Sequence, residues 1–389
     1  MPGLKDLASL NLLVFNLGMD AAHPALGHVP TWTNQLARRC THVSVITMFV
    51  GDVSVERNVT VYSLGKEIGR SEPRRLVEFY RLVHRVLRER PIDACFAHMA
   101  PLFAALFAPV GKTRGIPILL WYAHGGVSPT LRIAHAVADR CVTSTPSGFR
   151  LPSTKLFVVG QGIDTGSFGP PSETDPLYSR TAISVGRISR TKSIDQMLRA
   201  LALLRREVGL ELRLRLVGGA LTEADAAYET MLRGLARSLE VDDLVTFDGP
   251  VPYYEVPRSY HRGGVFLNLS STKSLDKAIL ESMASGCVPI SRNDAFQALA
   301  REHGLEWLIP TPGSDGLAQC IAQALERSDH DREQVTRRLR RIVESEHSLD
   351  SLTERLFAHL SELARSSTNG RGPSGSGLES GVVRGEAMR

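Results

Sequence analysis

Ala182-Ile-Ser-Val-Gly-Arg-Ile-Ser-Arg-Thr-Lys192 opens as a short apolar strand, breaks at a glycine and passes its cations before residues 193–204 take up helical spacing. A change of period across a glycine is what a strand feeding a helix looks like in sequence. Downstream the apolar runs return at residues 212–217, Val245-Thr-Phe247, residues 265–269 and Val288-Pro-Ile290. Upstream the same alternation runs through Asn11-Leu-Leu-Val-Phe-Asn16, a loop, helical spacing over 31–39, Val43-Ser-Val-Ile-Thr47, residues 58–64, Cys95-Phe-Ala97 and residues 116–122. Strands alternating with helices build parallel, doubly wound sheets. Gly169-Pro-Pro-Ser-Glu-Thr-Asp-Pro176 divides the two series with linker composition. The expected fold is therefore α/β, with two tandem Rossmann-like domains over 1–168 and 179–345, joined by a linker at 169–178. Residues 346–365 are expected to form a helix that crosses back to the first domain. The Gly/Ser-rich stretch 366–389 is expected to be disordered.

At 389 residues, 43% apolar and 22% charged, the chain has material for two ordinary cores. No apolar run reaches the length of a membrane span, and the N-terminus lacks the pattern of a secretory leader, so a cytoplasmic protein is expected. The five cysteines are scattered, with no C-x-x-C pair and no Cys/His cluster at ligand spacing; reduced thiols and no metal site follow. Charge is uneven: residues 1–170 carry 18 Lys/Arg against 11 Asp/Glu, and the remainder 28 against 30. The first half is thus suited to an anionic partner, either a membrane surface or a phosphorylated acceptor. No nucleic-acid-binding motif is present. The stretch 74–90 places Leu76, Phe79, Val83, Val86 and Leu87 at helical spacing among arginines. It reads as a surface helix with a solvated basic face, or as one that docks on the inner face of an anionic membrane.

Ligands of doubly wound sheets bind at the carboxyl ends of the strands, so two such sheets facing one another enclose a cleft. Gly186, Arg187 and Lys192 sit at one strand-to-helix junction, a seat for a diphosphate; solvated surface charge would give the same pair. Leu214-Arg-Leu-Val-Gly-Gly219 ends a strand in Gly218 and Gly219, which permit a close ligand or merely a tight turn. Phe247-Asp-Gly-Pro-Val251 offers a further strand-end loop, with Val251 against a nucleobase. Glu281 lies within the small, apolar helical stretch Ala278-Ile-Leu-Glu-Ser-Met-Ala284, where a carboxylate needs partners. Ribose hydroxyls or a structural salt bridge would supply them. In the first half, Trp121-Tyr-Ala-His124 ends a strand in a histidine aimed at the cleft, and His98 ends another. Gly27, after the first strand, permits approach to donor phosphates or serves a turn.

Together Val185-Gly-Arg-Ile-Ser-Arg-Thr-Lys192, Leu216-Val-Gly-Gly219, Phe247-Asp-Gly249 and Leu280-Glu-Ser-Met-Ala-Ser-Gly286 resemble, in order and spacing, retaining glycosyltransferases of family 4, the glycosyl transferases group 1. Val159-Gly-Gln-Gly-Ile-Asp164 and Trp121-Tyr-Ala-His124 are similar to further segments of that family, and the likeness spans most of residues 10–365. The resemblance implies the GT-B fold, a nucleotide-sugar donor, a glycan or lipid-linked acceptor, and no metal or other cofactor. It implies that Arg187 and Lys192 hold the diphosphate, that Glu281 takes the ribose, and that His124 meets the transferred sugar or acceptor. The family places another glutamate eight residues before Glu281, where this chain has Lys273. Ser274, Leu275, Asp276 and Lys277 still open the helix and offer backbone N–H groups to diphosphate or sugar, and Asp276 offers a substitute carboxylate. His28 stands where many relatives have a glycine. The expected function is hexosyl transfer in polysaccharide or glycolipid synthesis, UDP before GDP. A nucleotide-sugar epimerase on the same fold and a catalytically silent scaffold subunit are the alternatives.

Overall fold

The computed structural model describes residues 10–173, 177–270 and 274–369. Thr174 to Pro176 of the expected linker, Lys273, and residues 370–389 of the expected tail lie outside them. The first domain contains strands β1 (Asn11–Asn16), β2 (His42–Thr47), β3 (Val59–Ser63), β4 (Ala94–His98), β5 (Ile118–Trp121), β6 (Arg140–Thr143) and β7 (Leu156–Val158). All are parallel, in the order β3-β2-β1-β4-β5-β6-β7. Sequence reading finds the first five; β6 and β7 are four and three residues long, too short to show a period.

Helices α1 (His28–Ala37), α2 (Glu72–Glu89), α3 (Pro101–Arg114) and α4 (Pro129–Val137) connect these strands. α1 begins three residues earlier than its apolar spacing indicates, because Pro30 falls in the first turn, where no backbone N–H is required. Alternation in β1 divides the core. Leu13 and Phe15 join Phe79, Leu82, Phe103 and Phe107 from α2 and α3, whereas Leu12 and Val14 face Trp32 and Leu36 of α1. On α2, Leu82 is buried and Leu76 is exposed, a rotation of the expected apolar face.

The second domain repeats the plan with β8 (Thr181–Val185), β9 (Arg213–Val217), β10 (Val245–Gly249), β11 (Val265–Asn268) and β12 (Val288–Ser291), in the parallel order β10-β9-β8-β11-β12. Its helices are α5 (Ile194–Leu203), α6 (Glu223–Ser238), α7 (Val256–Tyr260), α8 (Lys277–Ala284), α9 (Asp294–Glu302), α10 (Ser314–Glu326) and α11 (Asp329–Glu346). α12 (Leu349–Asn369) then returns to the first domain. Its entry is pinned by the Leu349 N–H on the Ile163 carbonyl, 2.8 Å, and Leu352, Leu356 and Leu360 pack with Leu12 and Val14. Residues 366–369, expected to be disordered, form the last turn of this helix. Among the described residues no helix is long and apolar enough to cross a membrane.

Candidate functional site

The strand ends of both domains meet across a cleft with two adjoining lobes. Val185, Gly186, Arg187, Gly218, Gly219 and Val251 help line a mostly apolar lobe of about 320 Å³. Gly186, Arg187, Lys192, Asp276, Lys277 and Glu281 line its neighbour of about 420 Å³, opposite His28, His98 and Trp121 of the first domain. Close backbone contact builds the junction. Gly186 and Gly218 have φ of +126° and +131°, and a Cβ on Gly218 would lie 2.0 Å from the Gly186 carbonyl oxygen. The Gly218 N–H in turn donates to the Gly249 carbonyl, 2.8 Å. These glycines are required by sterics, and their lack of side chains leaves backbone open at the lobe wall.

Just beyond, Ser193 takes φ +49° to turn the chain into α5, which fixes where Lys192 stands. Lys192 Nζ lies 2.6 Å from Asp276 Oδ2 in a pair that is largely shielded from solvent. Arg187 is more open, with Nε 3.9 Å from Asp225. Asp276 is not free to serve as a sugar ligand in the way expected. Its Oδ1 caps α8 by accepting the Ala278 N–H, 3.2 Å, and Oδ2 also accepts from Asn268 Nδ2, 2.9 Å. Burial pushes the Asp276 carboxyl up, but Lys192, Asn268 and the helix-end amide outweigh it and hold it below the usual range. The carboxylate thus fills the place at the α8 N-terminus where an anion would sit.

Glu281, one turn further along α8, is 4% exposed. Its partners are the Tyr253 hydroxyl, donating to Oε1 at 2.9 Å, and the Tyr260 hydroxyl, donating to Oε2 at 3.2 Å. Burial raises its carboxyl above the ordinary value despite Lys277 and the tyrosines. Neither tyrosine is distinguishable in sequence from core aromatics, and only the fold brings them to the carboxylate. The Ser274 carbonyl accepts from Asn293, and Leu275 is buried and lines a separate interdomain cavity beside β6 and β7. Their side chains are therefore not part of the two lobes.

On the opposite wall the structure brings His98 into the larger lobe and leaves His124 outside both. His124 is exposed, its Nδ1 accepting the Gly126 N–H at 3.1 Å. His98 is 8% exposed, stacked 4.7 Å from Trp32, and has no hydrogen-bond partner among the described residues. Burial, and secondarily Lys277, lower it to about 3, so its ring is neutral at ordinary pH. The next residue, Met99, has φ +52°, backbone strain at the same strand end. Gly27 lies beside the lobes, and a Cβ there would come within 2.3 Å of Tyr253 Cβ. Its bareness lets the two domains touch. His28 fills the space of the second glycine, its ring 5.9 Å from that of Tyr253 and 6.4 Å from that of His98.

Residues 171–341 match the family model described as glycosyl transferases group 1. Over 219 residues the chain is 26% identical to the putative colanic acid biosynthesis glycosyltransferase WcaL of Escherichia coli (strain K12), covering 54% of this chain and 52% of that one. It is 29% identical over 276 residues to the GDP-mannose-dependent alpha-(1-6)-phosphatidylinositol monomannoside mannosyltransferase of Mycobacterium tuberculosis (strain ATCC 25618 / H37Rv), covering 62% and 69%. The chain spans about half the length of the first of these curated relatives. Among solved structures it superposes on Anabaena Alr3699/HepE in complex with UDP with a TM-score of 0.69 at 16% identity, over 91% of this chain and 100% of that one. At such identity the likeness speaks for the fold alone, which is GT-B. Through the motifs of its second domain, the chain is similar over residues 171–341 to the glycosyl transferases group 1.

Proposed function

We propose that the protein is a retaining hexosyltransferase of family 4, working from a nucleoside diphosphate sugar, with UDP preferred. The observation that carries this reading is the convergence of Arg187, Lys192 and Glu281 on one lobe, next to an apolar slot that suits a flat base. In it the base lies against Val251, and the ribose hydroxyls engage Glu281 in exchange or in company with the tyrosine hydroxyls. The diphosphate lies by Gly186, Arg187 and Lys192. As the bond from the anomeric carbon to the phosphate oxygen breaks, these cations stabilise the charge on the leaving oxygen. The acceptor hydroxyl forms the new bond on the same face and gives its proton to the departing diphosphate, so the configuration is retained. No metal or other cofactor is invoked. His98, neutral and without a hydrogen-bond partner among the described residues, takes the contact with sugar or acceptor that the sequence assigned to His124.

By their names one relative belongs to colanic acid biosynthesis and the other transfers mannose to phosphatidylinositol monomannoside, which supports a glycan or lipid-linked acceptor. On α2, Leu76, Val77 and Tyr80 are exposed beside Arg74, Arg81 and Arg88, a face for transient contact with the inner leaflet from the cytoplasm. The test is a thermal-shift panel of UDP-, GDP- and ADP-sugars on the wild type and on Arg187→Ala. A rise in melting temperature with one donor class, lost in the variant, is expected. Binding of a donor that no acceptor ever consumes would favour a silent subunit, and no shift with any donor would sink the reading.

A further inference from the structure

The cations of the larger lobe are not equivalent. Arg187 and Lys192 face carboxylates at 3.9 and 2.6 Å, whereas the Lys277 ammonium has no hydrogen-bond or ion-pair partner among the described residues. Lys277 is the first residue of α8, with Nζ 5.2 Å from the centre of the Tyr253 ring. It lines both the larger lobe and the small cavity beside Gly27. Burial is the chief influence on it and lowers it to about 8; Glu281 on its own helix and Asp164 from the loop after β7 act in the opposite sense. The groups facing it from α1 and β4 are His28 and His98, both kept neutral mainly by burial. The nearby N-terminus of α1 carries no side-chain cap and no acidic residue in its first turn. A half-buried, unneutralised cation and an uncapped helix end therefore border the same space.

We propose that the Lys277 side chain is a cationic ligand of the donor diphosphate, taking over the anion-binding place that Asp276 closes at the N-terminus of α8. The inference rests on the assignment of Glu281 to the ribose. Lys277 precedes Glu281 by four residues, so it lies one turn nearer the helix start on the same face. The phosphates attached to that ribose come within its reach before the sugar does. A second consequence concerns protons. An ammonium poised near 8 gains affinity for its proton when a diphosphate arrives, so nucleotide binding at alkaline pH takes up a proton.

Calorimetry of UDP and GDP with the full chain, at about pH 7 and about pH 8.5 in buffers of differing ionisation enthalpy, reads both effects. Lys277→Met is expected to weaken nucleotide binding about tenfold at the lower pH, the size of one lost charge-assisted contact, and to abolish proton uptake at the higher. Lys277→Arg, charged at both pH values, should keep the affinity and lose the uptake, which separates the contact from any effect on folding. If wild type and Lys277→Met bind with equal affinity and equal uptake, this inference fails while the donor assignment stands. If the variant loses only a UDP-uronic acid and not UDP, the ammonium reads a sugar carboxylate and the proposal is overturned. If the wild type binds neither UDP nor GDP, the proposed function itself falls.

Discussion

Replacing Asp276 by asparagine separates two roles that its carboxylate combines. The amide oxygen keeps the cap on Ala278, whereas the amide nitrogen faces two donors, Asn268 Nδ2 and Lys192 Nζ, so the bond from Asn268 is lost together with the charge that holds Lys192 at 2.6 Å. The shielded, charge-assisted bond from Lys192 contributes about 2 kcal/mol and the bond from Asn268 about 1 kcal/mol, so the second domain should melt on the order of 8 °C lower. The sign with pH follows from the depressed carboxyl. Its stabilisation is complete above the unfolded value of about 4 and is lost as pH falls through the lower folded value, so the gap between wild type and variant closes there. Nucleotide binding should move the other way. A phosphate oxygen about 3 Å from Lys192 Nζ stands roughly 5 to 6 Å from that carboxylate, a repulsion of about 3 kcal/mol at an effective dielectric near 20. Freeing Lys192 to move offsets part of this, leaving an expected gain of about tenfold in UDP affinity at low salt. Differential scanning calorimetry and titration of UDP measure both quantities. A variant that binds UDP more weakly would show that Asp276 contacts the nucleotide and would refute the reasoning.

Glu281→Gln should be no less stable than wild type at pH 7, because burial already disfavours the charged form, yet should bind UDP about tenfold more weakly. Equal affinity in that titration would remove Glu281 from the ribose. Gly218→Ala should cost more than about 2 kcal/mol in thermal denaturation, since its Cβ meets a carbonyl oxygen at an adverse φ. An unchanged melt would mean that the strand ends of β8 and β9 are not packed as described. Val77→Glu, at a residue 70% exposed, should leave stability untouched and reduce flotation with anionic vesicles; undiminished flotation would take α2 off the membrane.

Much of the scaffold was legible because each domain states its period repeatedly. Glycine followed by cations marks the end of β8, and paired glycines mark the end of β9, since backbone crowding there tolerates little else. The short strands β6 and β7 escaped because three or four residues hold no period. On the second domain the sequence picks out Gly186, Arg187, Lys192, Gly218, Gly219, Val251, Lys277 and Glu281, which line the two lobes, along with Ser274 and Leu275, which do not; between domains it picks out less. Gly27 reads as a phosphate-approach glycine until Tyr253 is seen against it. Glu281 asks for partners in the sequence, and the tyrosines that answer come from a single 3-10 turn over Tyr253–Glu255 and from α7. His98 and His124 both end a strand-like stretch in sequence, but His98 is the last residue of β4 whereas β5 ends at Trp121, three residues short of His124. Such facts belong to contacts distant in sequence, on which local periodicity carries no information.

The return of α12 bears on how the molecule is made. Leu352, Leu356 and Leu360 cover Leu12 and Val14, so the domain that leaves the ribosome first is the last to be completed. Until that helix emerges, that face of β1 has only α1 for cover while the whole second domain is being synthesised and folded. Removing α12 would therefore unroof the opposite end of the sequence, and a nascent chain stalled before residue 349 should need a chaperone for its first domain even after its second is in place.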